Sequence, residues 1–450
     1  MIYLDYAAAT PLSDSARQAM EPYFAEKFFN PSAAYLPAVE LRHEYQAAKD
    51  RLAHVIGAKG TDLVITGGAT ESINLAFQAV LPFQESRNYV GNSRRATDAN
   101  NNEEYKDVPN ILISAVEHDS VRAAATRAAQ RSNGILQTIA VDKNGRVKID
   151  DLKTKLTEKT QLISVCLACS ELGTIQPIAE IAQLVRVERQ RRLRMGIHTP
   201  IYLHCDASQG LGLLEVKVSR LGVDMLTLNS GKIYGPKGIG ALFVGHQVKT
   251  LKPLIVGGGQ EIGLRSGTEN VAGLMGFVQA VVDAQAHIVK NRKKMQRLNQ
   301  ILREELSNNS IIPQNSENSN NDLDFTPVTD DSSMDQYETK NPIPIPKFLG
   351  NSKHQLANFC PLTYPGLDAE RLIFLLEAEG VYVSTGTACA ANSRTKSKTL
   401  QAIGLTDAEI AGSLRLSFGN LNNENNIRQA AQIIKRVIVA ERQRLQKLNH

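Results

Sequence analysis

An aspartate and a lysine at the ends of two successive apolar segments are the residues of this chain best placed to do chemistry. Ile201-Tyr-Leu-His-Cys-Asp206 reads as a buried strand ending in an acid, and Val223-Asp-Met-Leu-Thr-Leu228 as the next strand. The second stops just before Asn229-Ser-Gly-Lys232-Ile-Tyr-Gly-Pro-Lys-Gly238. A carboxylate at one strand end can pair with a protonated ring nitrogen, and a lysine at the next can form an imine with an aldehyde. The pair therefore suits pyridoxal phosphate (PLP). Either half alone is a weak signal, whereas Asp-X-X-Gln209 followed by Lys-X-X-Gly-Pro-Lys-Gly is a specific combination.

The elements around these residues repeat one pattern. Leu63–Thr66, Asn110–Ser114, Leu162–Cys166, Ile201–His204, Met225–Leu228 and Gly240–Val244 read as strands, with helices such as Glu71–Val80 and Ser120–Arg131 between them. This predicts an α/β, doubly wound, mostly parallel sheet whose ligands collect at the carboxyl ends of the strands. At one such end Gly67-Gly68-Ala69-Thr70 leads into a helix and suits a phosphate. At another, His118 follows Ile111–Ser114. His204 precedes Asp206 by two positions, which predicts that it shares a face with the acid and supports it. A long helical stretch follows Asn270 through Glu305, then strand-like Gly380–Ser384 and Gly412–Ser417, and a terminal helix from Glu424. Two polar segments, 84–107 and 307–347, bury too little apolar area to offset their ordering entropy and read as surface insertions.

Composition excludes several classes. The 450 residues are 42% apolar, enough for two or three domains, and a net charge of +5 is too small at this length to suggest a nucleic-acid partner. The basic run Arg186–Arg194 reads as the solvated face of a helix. No apolar run spans a membrane, and the opening MIYLDY is strand-like rather than a signal peptide, so a cytoplasmic protein is expected. Five cysteines form no disulfide framework. Cys166-Leu-Ala-Cys169 lies in an apolar run without a second ligand pair, so it reads as core thiols rather than a metal site. Cys389 differs. It stands before the polar stretch Ala390–Ser397, near Arg394 and Lys396, which could stabilise a thiolate.

Further segments resemble the cysteine desulfurases of the class V aminotransferase group, PLP enzymes of fold type I. They are Leu4-Asp5-Tyr-Ala-Ala-Ala-Thr10-Pro11, Asn30-Pro31-Ser32, Thr66–Ser72, Glu117-His118, Glu171-Leu-Gly173, Arg265-Ser-Gly-Thr268-Glu-Asn270 and Ser384–Cys389, in the family's order. The resemblance runs from residue 2 to about residue 440. It implies a large PLP-binding domain over 13–270, with helices sandwiching its sheet, and a small α+β domain from 1–12 with 271–450.

By the same resemblance Lys232 carries the cofactor and His118 stacks on its ring and shuttles protons. Asp206 meets the pyridine nitrogen and Gln209 the phenolic oxygen, while Ala69, Thr70 and Asn229 lie at the phosphate. Thr268 reaches the phosphate of a neighbouring subunit, which implies a homodimer. Arg415 and Ser170 contact the substrate L-cysteine. Cys389 takes up its sulfur as a persulfide, releasing L-alanine. Sulfur-acceptor or iron–sulfur scaffold proteins are the implied partners, for cluster assembly or tRNA thiolation. No metal is expected beyond a transient iron–sulfur contact at Cys389.

The chain also departs from the family. Gly231 replaces the His before the lysine, Asn229 a phosphate-contacting Ser, Ser170 an Asn and Ile262 an Arg. Each replaced contact predicts weaker cofactor or substrate binding, since a hydrogen bond to a charged group contributes about 1.5–3 kcal/mol. A selenocysteine lyase, another class V PLP aminotransferase, and a weakly active scaffold that binds sulfur acceptors remain the alternative readings.

Overall fold

The structure, a computed structural model, describes residues 1–82, 108–308, 344–385 and 396–448. Cys389, Arg394 and the bodies of the two polar segments lie outside the described residues. Among the described residues there are three sheets. β1 (Ile2–Tyr3) pairs in parallel with β11 (Val381–Tyr382), and β12 (Ser413–Ser417), β10 (Phe359–Thr363) and β9 (Lys347–Phe348) form a small antiparallel sheet.

The main sheet has seven strands in the order β2-β8-β7-β6-β5-β3-β4. They are β2 (Leu63–Thr66), β3 (Asn110–Ser114), β4 (Ile135–Ile139), β5 (Thr160–Ser164), β6 (Tyr202–Asp206), β7 (Met225–Asn229) and β8 (Gly240–Val244). Only β8 runs antiparallel to its neighbours. Alternation along the strands feeds both faces. Ile111, Leu162, Tyr202 and Met225 pack with the helices Ala69–Ala76 and Asp119–Ser132. Leu112, Ile163, Leu203 and Leu226 join the opposite core, beneath Leu36–Ile56 and Ile178–Arg194. This is the mostly parallel, doubly covered sheet that the sequence predicts.

β4 escapes the sequence reading because Ile135 at this sheet edge is exposed and no apolar run marks the strand. β5 begins two residues earlier than read, at the polar but buried Thr160 and Gln161. The stretch after Asn270 is two helices, Val271–Ala286 and Ile288–Ser307, bent by 72° at His287. The first buries Val271, Leu274, Phe277 and Val281 in the large core, while the second gives Met295, Leu298 and Leu302 to a separate core with Ile2, Leu4, Leu414 and Phe418. The change of core therefore falls at His287.

The Arg186–Arg194 run is more than a solvated face. Arg192 is buried and donates to the carbonyls of Thr157, Thr160 and Thr199 and to Glu188. Arg189 pairs with the buried Asp224. These two guanidiniums satisfy loop carbonyls and a carboxylate that would otherwise be desolvated without partners. Cys166, Cys169, Cys205 and Cys360 are buried free thiols, as read. Among the described residues no group of His, Cys, Asp and Glu could hold a metal ion, and no single helix is long and apolar enough to cross a membrane.

Candidate active site

The carboxyl ends of β2, β3, β5, β6 and β7 converge on a cavity of about 490 Å³, roofed by β12 and the N-terminal segment. Each strand end delivers predicted residues: Ala69 and Thr70 after β2, His118 after β3, Ser170 after β5, Asp206 ending β6, and Asn229 ending β7 with Lys232 just after it. Gln209 and Arg415 complete the lining. Of the predicted site residues, exposed Thr268 lies outside its own chain's cavity, and Cys389 lies outside the described residues.

Lys232 sits on a one-turn 3-10 helix, Ser230–Lys232, within the β7–β8 connection. Asn229 Oδ1 caps that turn by accepting from Gly231 N at 3.2 Å. Desolvation, followed by the repulsion of Arg415, holds the Lys232 ammonium below the usual lysine pKa, while Asp206 and Asp5 pull it back. Asp206 is fixed through Oδ1, which accepts from Ser208 N at 2.9 Å and Ser208 Oγ at 2.5 Å. Its support thus comes from Ser208 rather than His204. His204 instead bridges the sheet, bonded to Ser164 Oγ on β5 at 2.8 Å and Thr227 Oγ1 on β7 at 2.9 Å. Its face was legible, but its ring is spent on the neighbouring strands. Gln209 Nε2 donates to Ala7 O at 2.8 Å and so ties the N-terminal segment to the cavity wall.

The helix Ala69–Ala76 starts at Gly68 without a side-chain cap, leaving its first amides and its positive end toward the cavity. Gly68 has φ +140°, and a Cβ on its β8 neighbour Gly240 would lie 2.9 Å from Gly68 Cα and 2.7 Å from Leu228 O. Gly240 is needed for β8 to pass behind this turn, and Gly68 for the positive φ of the turn itself. An uncapped helix end beside a lysine and a strand-end carboxylate is a donor set that fits PLP: phosphate at the amides, aldehyde at Lys232, ring nitrogen at Asp206.

His118 is also the cap of the helix Asp119–Ser132. Its Nδ1 accepts from Ser120 N at 3.1 Å and lies 2.8 Å from Ser120 Oγ. A backbone amide can only donate, so Nδ1 is unprotonated and the neutral ring carries its proton on Nε2. Desolvation, then the Lys232 charge, holds its pKa below that of an ordinary histidine, although the side chain reaches solvent.

On the roof, Arg415 Nη1 donates to Ser170 O at 2.9 Å and Nη2 to Asp5 Oδ1 at 2.6 Å. Partly buried Glu171 accepts from Ser397 Oγ at 2.5 Å, and desolvation raises its pKa. Lys396, expected beside Cys389, pairs with Asp407 at 2.6 Å. Sequence reasoning assigned no role to Asp5, Glu117, Arg122, Glu171 or Ser208. Asp5, Glu117 and Glu171 stand in quoted motifs, and that was their only signal.

The aminotransferase class-V family model matches residues 2–329 and 330–429, and the chain belongs to that family. Within it, the chain is similar to proteins named for one activity. Cysteine desulfurase IscS 1 of Archaeoglobus fulgidus is 32% identical, over 97% of this chain and 97% of that protein. Cysteine desulfurase IscS of Methanosarcina thermophila is also 32% identical, over 97% of this chain and 92% of that protein. A solved NifS-like protein shares the fold, with a TM-score of 0.76 at 24% identity over 98% of this chain and 99% of its own. SspA, solved in complex with cysteine, gives a TM-score of 0.67 at 25% identity over 93% of this chain and 99% of its own. The fold is PLP fold type I.

Proposed function

We propose that this protein is a PLP-dependent cysteine desulfurase that converts L-cysteine to L-alanine and keeps the sulfur as a persulfide on Cys389. The observation that carries this reading is the convergence of Lys232, Asp206 and Arg415 on one cavity, in a chain similar over nearly its full length to cysteine desulfurases. When bound, PLP supplies an electron sink for the bonds at the substrate's Cα. Lys232 holds its aldehyde carbon, Asp206 keeps the ring nitrogen protonated, and Ala69 and Thr70 with Asn229 hold the phosphate. Gln209 lies at the phenolic oxygen. Arg415 takes the substrate carboxylate as a charge-assisted pair, and Ser170 helps to orient it. His118 presents its Nε2 to the site as the proton-transfer group. Cys389 accepts the sulfur: cysteine plus the enzyme thiol gives alanine plus the enzyme persulfide, with no external oxidant.

The protein works as a homodimer in this reading. Phe24, Phe28, Tyr35, Leu36, Val256 and Ile262 are exposed, and a bond from Tyr45 to Glu261 ties the helix that starts at Leu36 to the turn carrying Ile262. Thr268 follows that turn and reaches the partner's phosphate. Sulfur-acceptor or iron–sulfur scaffold proteins of the cytoplasm take the persulfide onward. The division of labour is a large unit holding the cofactor and a small unit, built from both chain ends, holding the substrate carboxylate.

Purified protein incubated with cysteine should form alanine, and peptide mapping should place a reductant-labile persulfide on Cys389. Cys389→Ser should make no alanine, because a serine hydroxyl is not ionised near neutral pH. Alanine formation at the wild-type rate in that variant, or a persulfide on another cysteine, would sink the assignment.

A further inference from the structure

Glu117 follows β3 and precedes His118, and it is 3% exposed. Its Oε1 accepts two hydrogen bonds, from Ser114 Oγ at 2.6 Å and from Cys166 N at 2.8 Å. The first bond closes the turn that carries His118. The second crosses to the end of β5, where the Cys166–Ser170 segment begins. Oε2 is buried with no hydrogen-bond partner. Both donors fall on Oε1 and none reaches Oε2, so half of an ionised carboxylate would be buried with nothing to stabilise its charge, which favours the neutral acid with its proton on Oε2.

The charges around Glu117 agree. From β6 it faces Asp206 and the Cys205 thiol, and from the β5 segment Cys166 and Cys169. His118 and Asp119 stand beside it, and Lys232 and Arg415 lie elsewhere on the cavity wall. The Arg122 guanidinium, on the adjoining helix, donates to the backbone carbonyls of Glu117 and Ala115. Among the described residues no cation pairs with the Glu117 carboxyl itself. An ionised Glu117 would be a desolvated anion beside a second anion.

We propose that Glu117 is a positioning residue that works as a neutral carboxylic acid, clamping the ends of β3 and β5 so that His118 and the Cys166–Ser170 segment face the cavity together. The mechanism proposed above gives Glu117 no role, but the clamp positions two of the elements that mechanism uses. Burial first, with Asp206 adding to it, pushes the Glu117 pKa up to about 8, against the lowering pull of its two hydrogen bonds.

The folded chain thus keeps a proton that the unfolded chain releases near 4.5. Stability from this group is full below that pH and is lost as pH rises to about 8. Infrared difference spectra of wild type minus Glu117→Gln should contain a protonated-carboxyl C=O band at pH 7 that disappears with a midpoint near 8. The subtraction removes Glu171, the other carboxyl among the described residues whose pKa is raised. Ser114→Ala should move the midpoint upward, because the lost bond favours the charged form. Denaturation should show Glu117→Gln gaining stability over wild type between pH 4.5 and 8 and no further above it. Glu117→Ala should lower kcat by about tenfold, as for one lost hydrogen-bonded contact, and Glu117→Gln should retain most of what Ala loses. Absence of the band at pH 7, a midpoint unmoved by Ser114→Ala, or parallel stability profiles would overturn the proposal. These readouts need neither cofactor nor turnover, so they fail independently of the desulfurase reading. If Glu117→Gln does not fold, the Ser114→Ala shift of the wild-type band decides alone.

Discussion

Arg415 and Asp5, from opposite ends of the chain, are joined at 2.6 Å where β12 crosses the N-terminal segment. Arg415 is thereby aimed before any substrate arrives, with Nη2 on a carboxylate and Nη1 on Ser170 O. The substrate carboxylate proposed to bind there would meet a guanidinium whose entropy of ordering is already lost.

Arg415→Lys removes the fork that makes two parallel bonds. KM for cysteine should rise by about 10- to 100-fold, the equivalent of one or two charge-assisted hydrogen bonds. PLP binding, followed by visible absorption, should be unaffected. Steady-state kinetics that leave KM unchanged would place the substrate carboxylate elsewhere.

Asp206→Asn keeps the hydrogen bond to Ser208 but removes the charge opposite the ring nitrogen. The variant should fold with an unchanged circular dichroism spectrum and bind PLP, yet lose most of its turnover. Near-normal turnover would show that another group sets the ring's protonation.

His204 predicts an acid limb of stability. Desolvation lowers its pKa from 6.5 to about 4, and both ring nitrogens are engaged in neutral bonds. The unfolded chain takes up a proton near 6.5 that the folded chain refuses until about 4, so stability falls as pH drops through that window, by roughly 3 kcal/mol. Glu117 slopes the opposite way above 4.5, so the wild type should be compared with His204→Gln at each pH. Chemical denaturation in which both chains fall equally would count against the reading.

Lys49 and Glu261 form a buried ion pair at 2.7 Å, and Glu261 also receives bonds from Tyr45 OH and Ile65 N. The pair pins a turn in which Glu261 and Ile262 both have positive φ, a conformation unfavourable for these residue types. Lys49→Met leaves an unpaired buried carboxylate and should lower stability by about 3–5 kcal/mol, read from the urea midpoint. A change under about 1 kcal/mol would show that the tyrosine and amide bonds suffice.

Much of the site was legible because strand ends carry it. Asp206, Lys232, His118 and the Gly67–Thr70 turn each follow an apolar run whose period marks a strand, so their convergence follows from sheet topology. The start of β5 was hidden because Thr160 and Gln161 are buried polar residues, bonded to Asn110 Nδ2 and Leu81 N. Arg192 was misread for the converse reason. A charged residue looks solvated until the fold supplies carbonyls to receive it. Side-chain partnerships such as Ser208 with Asp206, or His118 with its own helix, depend on rotamers and local backbone direction, which residue type and spacing do not specify.

The pairing of β1 with β11 bears on how the chain comes off the ribosome. Ile2 lies against Val381, and Leu4 N donates to Tyr382 O, so this early segment waits for residues far downstream of it. The seven-stranded sheet is complete in sequence by Val244, and can form while the leading segment still lacks its partners. Until those downstream residues are made, Leu4 lacks the apolar partners it buries against, and Asp5 lacks Arg415. A nascent chain can therefore complete the sheet that carries Asp206 and Lys232 well before it contains Arg415.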